Sequence, residues 1–253
     1  MKSVGFHSRI VGHKENFLFL RKMGRTLSGS ALKVIALICM IVNHTTKTAF
    51  AVWPWMRRVL FSVGSVKVTP AFIGASVIGR IAFPIFVFLC VEGVKHTRDI
   101  RKYMAGLLLF AVLSIVPFNM MRGVQWYDLH KMNALFTLFL GVFGIHSLKS
   151  RSRVRAAAGV LFSLTVAYIL KCDYGFTGVA LIILMYLLDR PGYQCLSILA
   201  VLGRSKTTIC SALASVPILL YNGERGFIRG RAWKYAFYAL YPLHMLFLWL
   251  LFR

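Results

Sequence analysis

The chain has 253 residues, 58% of them apolar, and 31 Lys and Arg against 7 Asp and Glu give a formal net charge of +24. A mean hydropathy of +0.69, with the apolar residues gathered in long blocks, excludes an ordinary soluble domain and indicates a polytopic membrane bundle. The basic residues lie between those blocks, so the charge speaks for membrane topology rather than for nucleic acid as a partner.

In chain order, residues 1–30 form a basic segment with Lys2, Arg9, Lys14, Arg21, Lys22 and Arg25 and no h-region or cleavage site. It reads as a cytoplasmic N-terminal segment ahead of a membrane domain over 31–253. Apolar blocks predict spans at 32–50, 70–94, 103–121, 133–148, 154–170, 175–189 and 234–252. The stretch 194–221, interrupted by Gly203, Arg204, Ser205 and Lys206, reads as one long span or as two short helices. Basic clusters follow the second span (Lys95, Arg98, Arg101, Lys102) and the fourth (Lys149, Arg151, Arg153, Arg155), and recur at Arg225, Arg229, Arg231 and Lys234. The positive-inside rule puts these alternate segments, and the N-terminus, in the cytoplasm. The first outer loop, with Arg57, Arg58 and Lys67, fits less well; its Trp53-Pro54-Trp55 has the composition of an interfacial anchor. The expected fold class is therefore all-α, a polytopic transmembrane helical bundle of about nine spans, or eight if 194–221 crosses once. The five cysteines have no CxxC spacing and sit mostly in apolar blocks, so neither a disulfide framework nor a metal is assigned. There is no Walker loop or dinucleotide fingerprint.

Arg80 lies inside the apolar stretch from Pro70 to Val94. A charge at the centre of a membrane helix costs roughly 2.5–3.5 kcal/mol on insertion scales, and such residues face a protein interior or a wet cavity. The apolar blocks also carry Asn43, His44, Glu92, Asn119, Asn133, Asp173 and His244. At ~1.5 Å per residue, His44 lies ~17 Å beyond Lys33, Arg80 ~22 Å before Lys95, and His244 ~15 Å beyond Lys234. With Asn133 and Asp173, they fall at the midplane or in the outer half. Singly, each has a plain structural reading. Asn133 can cap a helix, Asp173-Tyr174-Gly175 can be a surface turn, Glu92 can pair with Lys95 or His96, and a lone His can bridge two helices. Together they describe a wet cavity. His can take a proton from an amine or hydroxyl, and Arg can hold an anion or a developing oxyanion. That set suits acyl transfer. The alternatives are a transporter with Arg80 binding an anionic substrate, and a catalytically degenerate scaffold in which the polar residues only fix packing.

Seven strings in order carry a family resemblance: LKVIALICMIVNH (32–44), GRIAFPIFVFLCVEGVKHTRD (79–99), SIVPFN (114–119), NALFTLFLG (133–141), DYG (173–175), YNGERG (221–226) and KYAFYALYPLH (234–244). From Leu32 to the C-terminus the chain resembles the TraX family of bacterial membrane proteins, whose namesake acetylates the N-terminus of conjugative F-pilin. The resemblance implies a multi-pass helical bundle in the bacterial inner membrane. It also implies acetyl-CoA as acyl donor and an amine or hydroxyl acceptor, such as a pilin N-terminus or a surface glycan. The family's polar positions fall on His44, Arg80, Glu92, Asn133, Asp173, Tyr174 and His244. On that reading His44 is the general base with His244 as partner, Arg80 positions the thioester or its oxyanion, and Asn133 and Asp173 orient these groups. Arg80, Glu92 and Tyr174 are the expected contacts of the acetyl-CoA. Three family acids are replaced, by Asn43, Ile115 and Asn119. Asn43 can hydrogen-bond but cannot stabilise an imidazolium by charge, so a slow, altered or inactive member is one expectation. Arg80 is left to pair with Asp173, with a bound anion, or with nothing.

Overall fold

The structure, a computed structural model, describes residues 25–203 and 208–253. Most of the expected basic N-terminal segment and Arg204, Ser205 and Lys206 lie outside the described residues. Of the described residues, 73% are helical.

Helix α1 (Gly29–Val52) starts where the Ser28 hydroxyl accepts from Ala31 N–H, the N-cap its sequence offers. Its last turn is closed by Arg57, which follows in a short 3-10 turn and donates to the Phe50 carbonyl from Nε (3.3 Å) and Nη2 (3.0 Å). An antiparallel hairpin of β1 (Phe61–Val63) and β2 (Val66–Val68) comes next, turning at Gly64 with φ +56°. The all-α expectation did not include it. Its signal was the alternation of Phe61, Val63, Val66 and Val68 about Gly64-Ser65.

Helix α2 (Pro70–His96) is capped by Thr69, with Pro70 at its first position, and contains a π-turn at Ile73–Ile78. Pro84 inside it offers no N–H to the carbonyl of Arg80. Helices α3 (Ile100–Leu113) and α4 (Ile115–Met121) follow, then α5 (Ala134–Leu148), α6 (Arg153–Ile169) and α7 (Gly175–Leu187). Helix α8 (Pro191–Leu202), a 3-10 segment (Ile209–Ala214), α9 (Ser215–Leu219) and α10 (Arg231–Leu251) complete the chain.

Facing residues fix the directions. Helices α1 and α2 are antiparallel, with Thr46 against Gly74 and Asn43 against Gly79. Helices α1 and α10 are parallel, with His44 beside His244 and Trp53 beside Phe252. Helices α5 and α6 are antiparallel, whereas α5 and α7 run side by side in the same direction. The hairpin end of the bundle thus holds the C-terminal ends of α1, α6 and α10 and the N-terminal ends of α2, α5 and α7. At the far end, the segment 224–228 clasps the start of α1: Gly29 N–H donates to Glu224 O (2.7 Å), the Ser30 hydroxyl to Arg225 O (2.8 Å), and Ile228 N–H to the Ser30 hydroxyl (2.7 Å).

Most predicted span boundaries fall within three residues of a helix end, but the count of full spans differs. Among the described residues, two helices, α1 and α2, are long and apolar enough to cross a membrane, or three if the pair α3–α4 is one span. That pair, expected as a single span over 103–121, bends by 41° at Ser114. The stretch 194–221 is two short helical pieces rather than one span. Both its ends lie at the far end, where Lys95 pairs with Asp189 and Leu27 bridges Tyr221. Helices α5, α6 and α7 have 15, 17 and 13 residues, so the longest is ~26 Å against a hydrocarbon core of ~30 Å. The shortfall opens on the hairpin side. Tyr241, ten residues before the end of α10, meets the N–H of Ala134 at the start of α5, so α5 begins ~15 Å inside that end of α10. The outward face of α6 is apolar, with Val154, Leu161 and Tyr168 at 78%, 66% and 69% exposure, as a lipid-facing helix requires.

In an apolar medium helices associate through close backbone approach and interhelical hydrogen bonds rather than through water exclusion. Glycines on α2 supply the approach to α1, and Asn43 Nδ2 donates to the Ala75 carbonyl in the π-turn (3.0 Å). A Cβ at Gly79 would lie 2.6 Å from the Cβ of Asn43. Gly79→Ala should therefore cost about 1–3 kcal/mol and lower the thermal midpoint in detergent, while Gly106→Ala, whose Cβ would lie 3.8 Å from Tyr238 in ordinary contact, should leave it unchanged. Asn119, fully buried, donates from Nδ2 to the carbonyls of Trp126 (3.2 Å) and Asp128 (2.6 Å), holding the loop between α4 and α5. An ionised carboxylate cannot donate, so Asn119→Asp should destabilise the fold by at least as much as Asn119→Ala, measured by the same melt.

Candidate functional site

His44 is buried on α1, one residue past Asn43, which contacts α2, and His244 lies opposite it on α10. His44 Nδ1 and His244 Nε2 are 2.7 Å apart. The ring centroids are 5.0 Å apart and the planes differ by 3°, which sets the imidazoles edge to edge about one in-plane hydrogen bond. His244 Nδ1 lies 2.8 Å from the Leu240 carbonyl one turn back. A carbonyl only accepts, so His244 carries its proton on Nδ1 and, when neutral, presents a bare Nε2. His44 must then donate from Nδ1, and its Nε2 keeps a free lone pair. The hydrogen-bond network thus leaves His44 as a base with its basic atom defined.

Tyr241, three residues before His244, packs edge-on to both rings, with centroids 6.5 Å from His44 and 5.7 Å from His244. Its hydroxyl meets the Ala134 N–H at the start of α5, so it ties the histidine pair to the recessed helix end.

Asn133 caps α5. Its Oδ1 accepts from Leu135 N–H (3.1 Å), and its Nδ2 donates to the Ala111 carbonyl of α3 (2.8 Å). Wholly buried, it is committed on both sides to joining α3 and α5. Asp173 and Tyr174 form the joint between α6 and α7. The Asp173 N–H donates to the Met132 carbonyl, its own carbonyl accepts from the Thr137 hydroxyl, and its carboxylate pairs with Lys131 at 3.2 Å. Tyr174 takes a left-handed φ of +67° and lies flat on Phe83 of α2, with centroids 3.6 Å apart. That stack brings the α6–α7 joint against the turn of α2 that carries Arg80.

Arg80 follows the π-turn directly and is half-buried. Such turns recur at functional sites because they redirect a helix face. The electrostatic neighbours of Tyr174 are Asp173 and Arg80, and those of Lys47 are Asp173, Lys131 and Arg80. Asp173 is paired with Lys131, however, and among the described residues no carboxylate lies within ion-pair distance of Arg80. Of the three partners the sequence left open, the structure gives Arg80 no carboxylate.

Glu92 stands apart. It is twelve residues beyond Arg80 on α2, ~18 Å towards the far end, and its carboxylate is 2.7 Å from Lys95 Nζ, which also holds Asp189. Of the residues singled out in the sequence, His44 and His244 form one pair, Arg80, Asp173 and Tyr174 are electrostatic neighbours, Asn133 caps α5 beside them, and Glu92 is elsewhere. Lys47 lies within range of both groups. Tyr241, Lys47 and Lys131 were missed. Tyr241 and Lys47 each lie three residues from a histidine, a spacing that places both on the histidine face of their helices.

A family model described as TraX protein matches residues 28–252. A relative described as probable fimbrial assembly protein FimC, serogroup H1, from Dichelobacter nodosus is 28% identical over 251 residues, covering 88% of this chain and 96% of the relative. No solved structure matches. The ordered strings and the match across nearly the whole chain lead to one conclusion: the chain belongs to the TraX family.

Proposed function

We propose that this protein is an integral-membrane acyltransferase that moves an acetyl group from acetyl-CoA to an amine or hydroxyl acceptor. The observation that carries the reading is the His44–His244 hydrogen bond, anchored on Leu240, which leaves His44 Nε2 basic in a recess shared with Arg80. The acceptor's nitrogen or oxygen gives its proton to His44 Nε2 as it attacks the acyl carbon. The Nδ1–H held by His244 spreads the positive charge that develops on His44. Arg80, with no carboxylate partner, stabilises the negative charge building on the acyl oxygen. When the C–S bond breaks, the His44 proton passes to the departing thiolate. Tyr241, Tyr174 and Phe83 wall the recess, and Asn133 and Asp173 fix the joints on which it rests. Asn43, where the family has an acid, donates to the Ala75 carbonyl and so positions α2 rather than charging the base.

In the bilayer, the far end with its basic segments faces the cytoplasm and the hairpin end faces out, in the bacterial inner membrane. The α8 and 3-10–α9 pieces then make two short crossings, nine in all, or one excursion that enters and returns. The donor approaches from the basic face, whose charge attracts its phosphates, and the acceptor enters from the hairpin side. The name of the Dichelobacter nodosus relative makes a fimbrial subunit one acceptor to try, alongside a surface glycan.

His44→Ala should lower acetyl transfer from labelled acetyl-CoA in membranes by about 10²–10⁴-fold per folded protein, and His244→Ala by less, since it removes only the partner. Normal transfer by His44→Ala sinks the assignment. The unpaired Arg80 also favours a second reading, a transporter for an anionic substrate. That reading predicts substrate flux in proteoliposomes without release of CoA; the acyltransferase predicts CoA release that requires an acceptor.

A further inference from the structure

Three cations from three elements share the hairpin side of the recess with one carboxylate. Lys47 stands on α1, Arg80 on α2 and Lys131 in the segment before α5. Asp173 neutralises Lys131 at 3.2 Å, and its charge also reaches Lys47. Lys47 and Arg80 have no ion-pair partner among the described residues. Lys47 is exposed, five residues before the end of α1, so its stem is long enough to carry the ammonium away to the aqueous end. It lies within electrostatic range of Arg80 and Lys131, and of His44 one turn below it on the same helix. Gathering like charges is unfavourable unless anions balance them, and Asp173 alone leaves two of the three positive charges uncompensated.

The spacing adds a metric. His44 and Lys47 are three residues apart on one face of α1, so their backbone positions are ~5 Å apart along the axis. We infer that the acceptor carries an anionic group, a phosphate or a carboxylate, about that distance from its nucleophilic nitrogen or oxygen. Lys47 and Lys131 grip the anion, Arg80 lies between it and the acyl oxygen, and the nucleophile meets His44 Nε2. Asp173 keeps the empty cluster from closing on stray anions and competes for Lys131 when the acceptor leaves. The inference rests on the acyltransferase reading, and it selects acceptors by charge: a plain amine satisfies His44 alone, whereas an amine linked to an anion satisfies the whole recess.

The test uses the full chain in lipid nanodiscs, with three probes: O-phosphoethanolamine, ethanolamine and inorganic phosphate. Binding is read, without acetyl-CoA, as protection of the Lys47 and Lys131 amines from an acylating reagent, mapped by mass spectrometry. O-phosphoethanolamine should half-protect at a concentration about tenfold below that of either other probe, the worth of one or two charge-assisted hydrogen bonds. Read at Lys131, that margin should vanish in Lys47→Gln and survive in Lys47→Arg. Equal protection by the three probes, protection by none, or a margin unchanged in Lys47→Gln overturns the inference. A parallel arm with labelled acetyl-CoA separates the two readings. Protection without transfer to any amine leaves the anion site standing and sinks the acyltransferase. Transfer to ethanolamine and O-phosphoethanolamine alike, without selective protection, sinks the anion site and leaves the acyltransferase.

Discussion

One hydrogen bond joins residues 200 positions apart and sets the chemistry of the recess: His44 Nδ1 to His244 Nε2. In water two imidazoles would gain little by meeting. In an apolar bundle each ring nitrogen must find a partner or remain costly, and the chain settles this by a directed relay. The Leu240 carbonyl fixes the His244 proton, His244 fixes the His44 proton, and the order of the relay leaves a single basic nitrogen. It also holds α10 against α1, so the C-terminal helix completes the site rather than merely covering it.

The second constraint is helix length. Helices α1 and α10 run on past the level at which α5 and α7 begin, and the joints at Asn133 and Asp173-Tyr174 lie in the resulting recess. Loop residues below the surface of a membrane protein are tolerated only where they are buried in protein or line a wet cavity. Asn133 meets that condition by bonding α3 and its own helix, and Asp173 meets it through Met132, Thr137 and Lys131. The polar residues are thus of two kinds. Asn43, Asn119 and Asn133 spend their amides on backbone carbonyls and join helices and loops, whereas Arg80 and Lys47 have no carboxylate ion-pair partner among the described residues.

Much of the helix plan was legible because membrane helices announce themselves by composition: seven apolar blocks map onto helices or the bent pair. The depth argument also drew attention to His44, Arg80, Asp173 and His244, because a polar group in an apolar run is conspicuous and the rise per residue is fixed. What stayed hidden depends on contacts between distant residues. The bend at Ser114 leaves no composition change, since both α3 and α4 are apolar. Glu92 and Asn133 each had a plain and a functional reading in the sequence, and the contacts follow the plain one: Glu92 pairs with Lys95 at the far end and Asn133 caps a helix. Tyr241 and Lys47 carry the signal only after the histidines have been chosen, when the three-residue spacing becomes meaningful.

The central claim is that the resting protein holds His44 with its proton on Nδ1 and a bare Nε2. Nitrogen NMR of the full chain, labelled at histidine and reconstituted in lipid, tests it directly, with His44→Gln and His244→Gln supplying the assignments. The account predicts a protonated His44 Nδ1 coupled across a hydrogen bond to an unprotonated His244 Nε2, and an unprotonated His44 Nε2. A proton on His44 Nε2, or no coupling between the two rings, would contradict it.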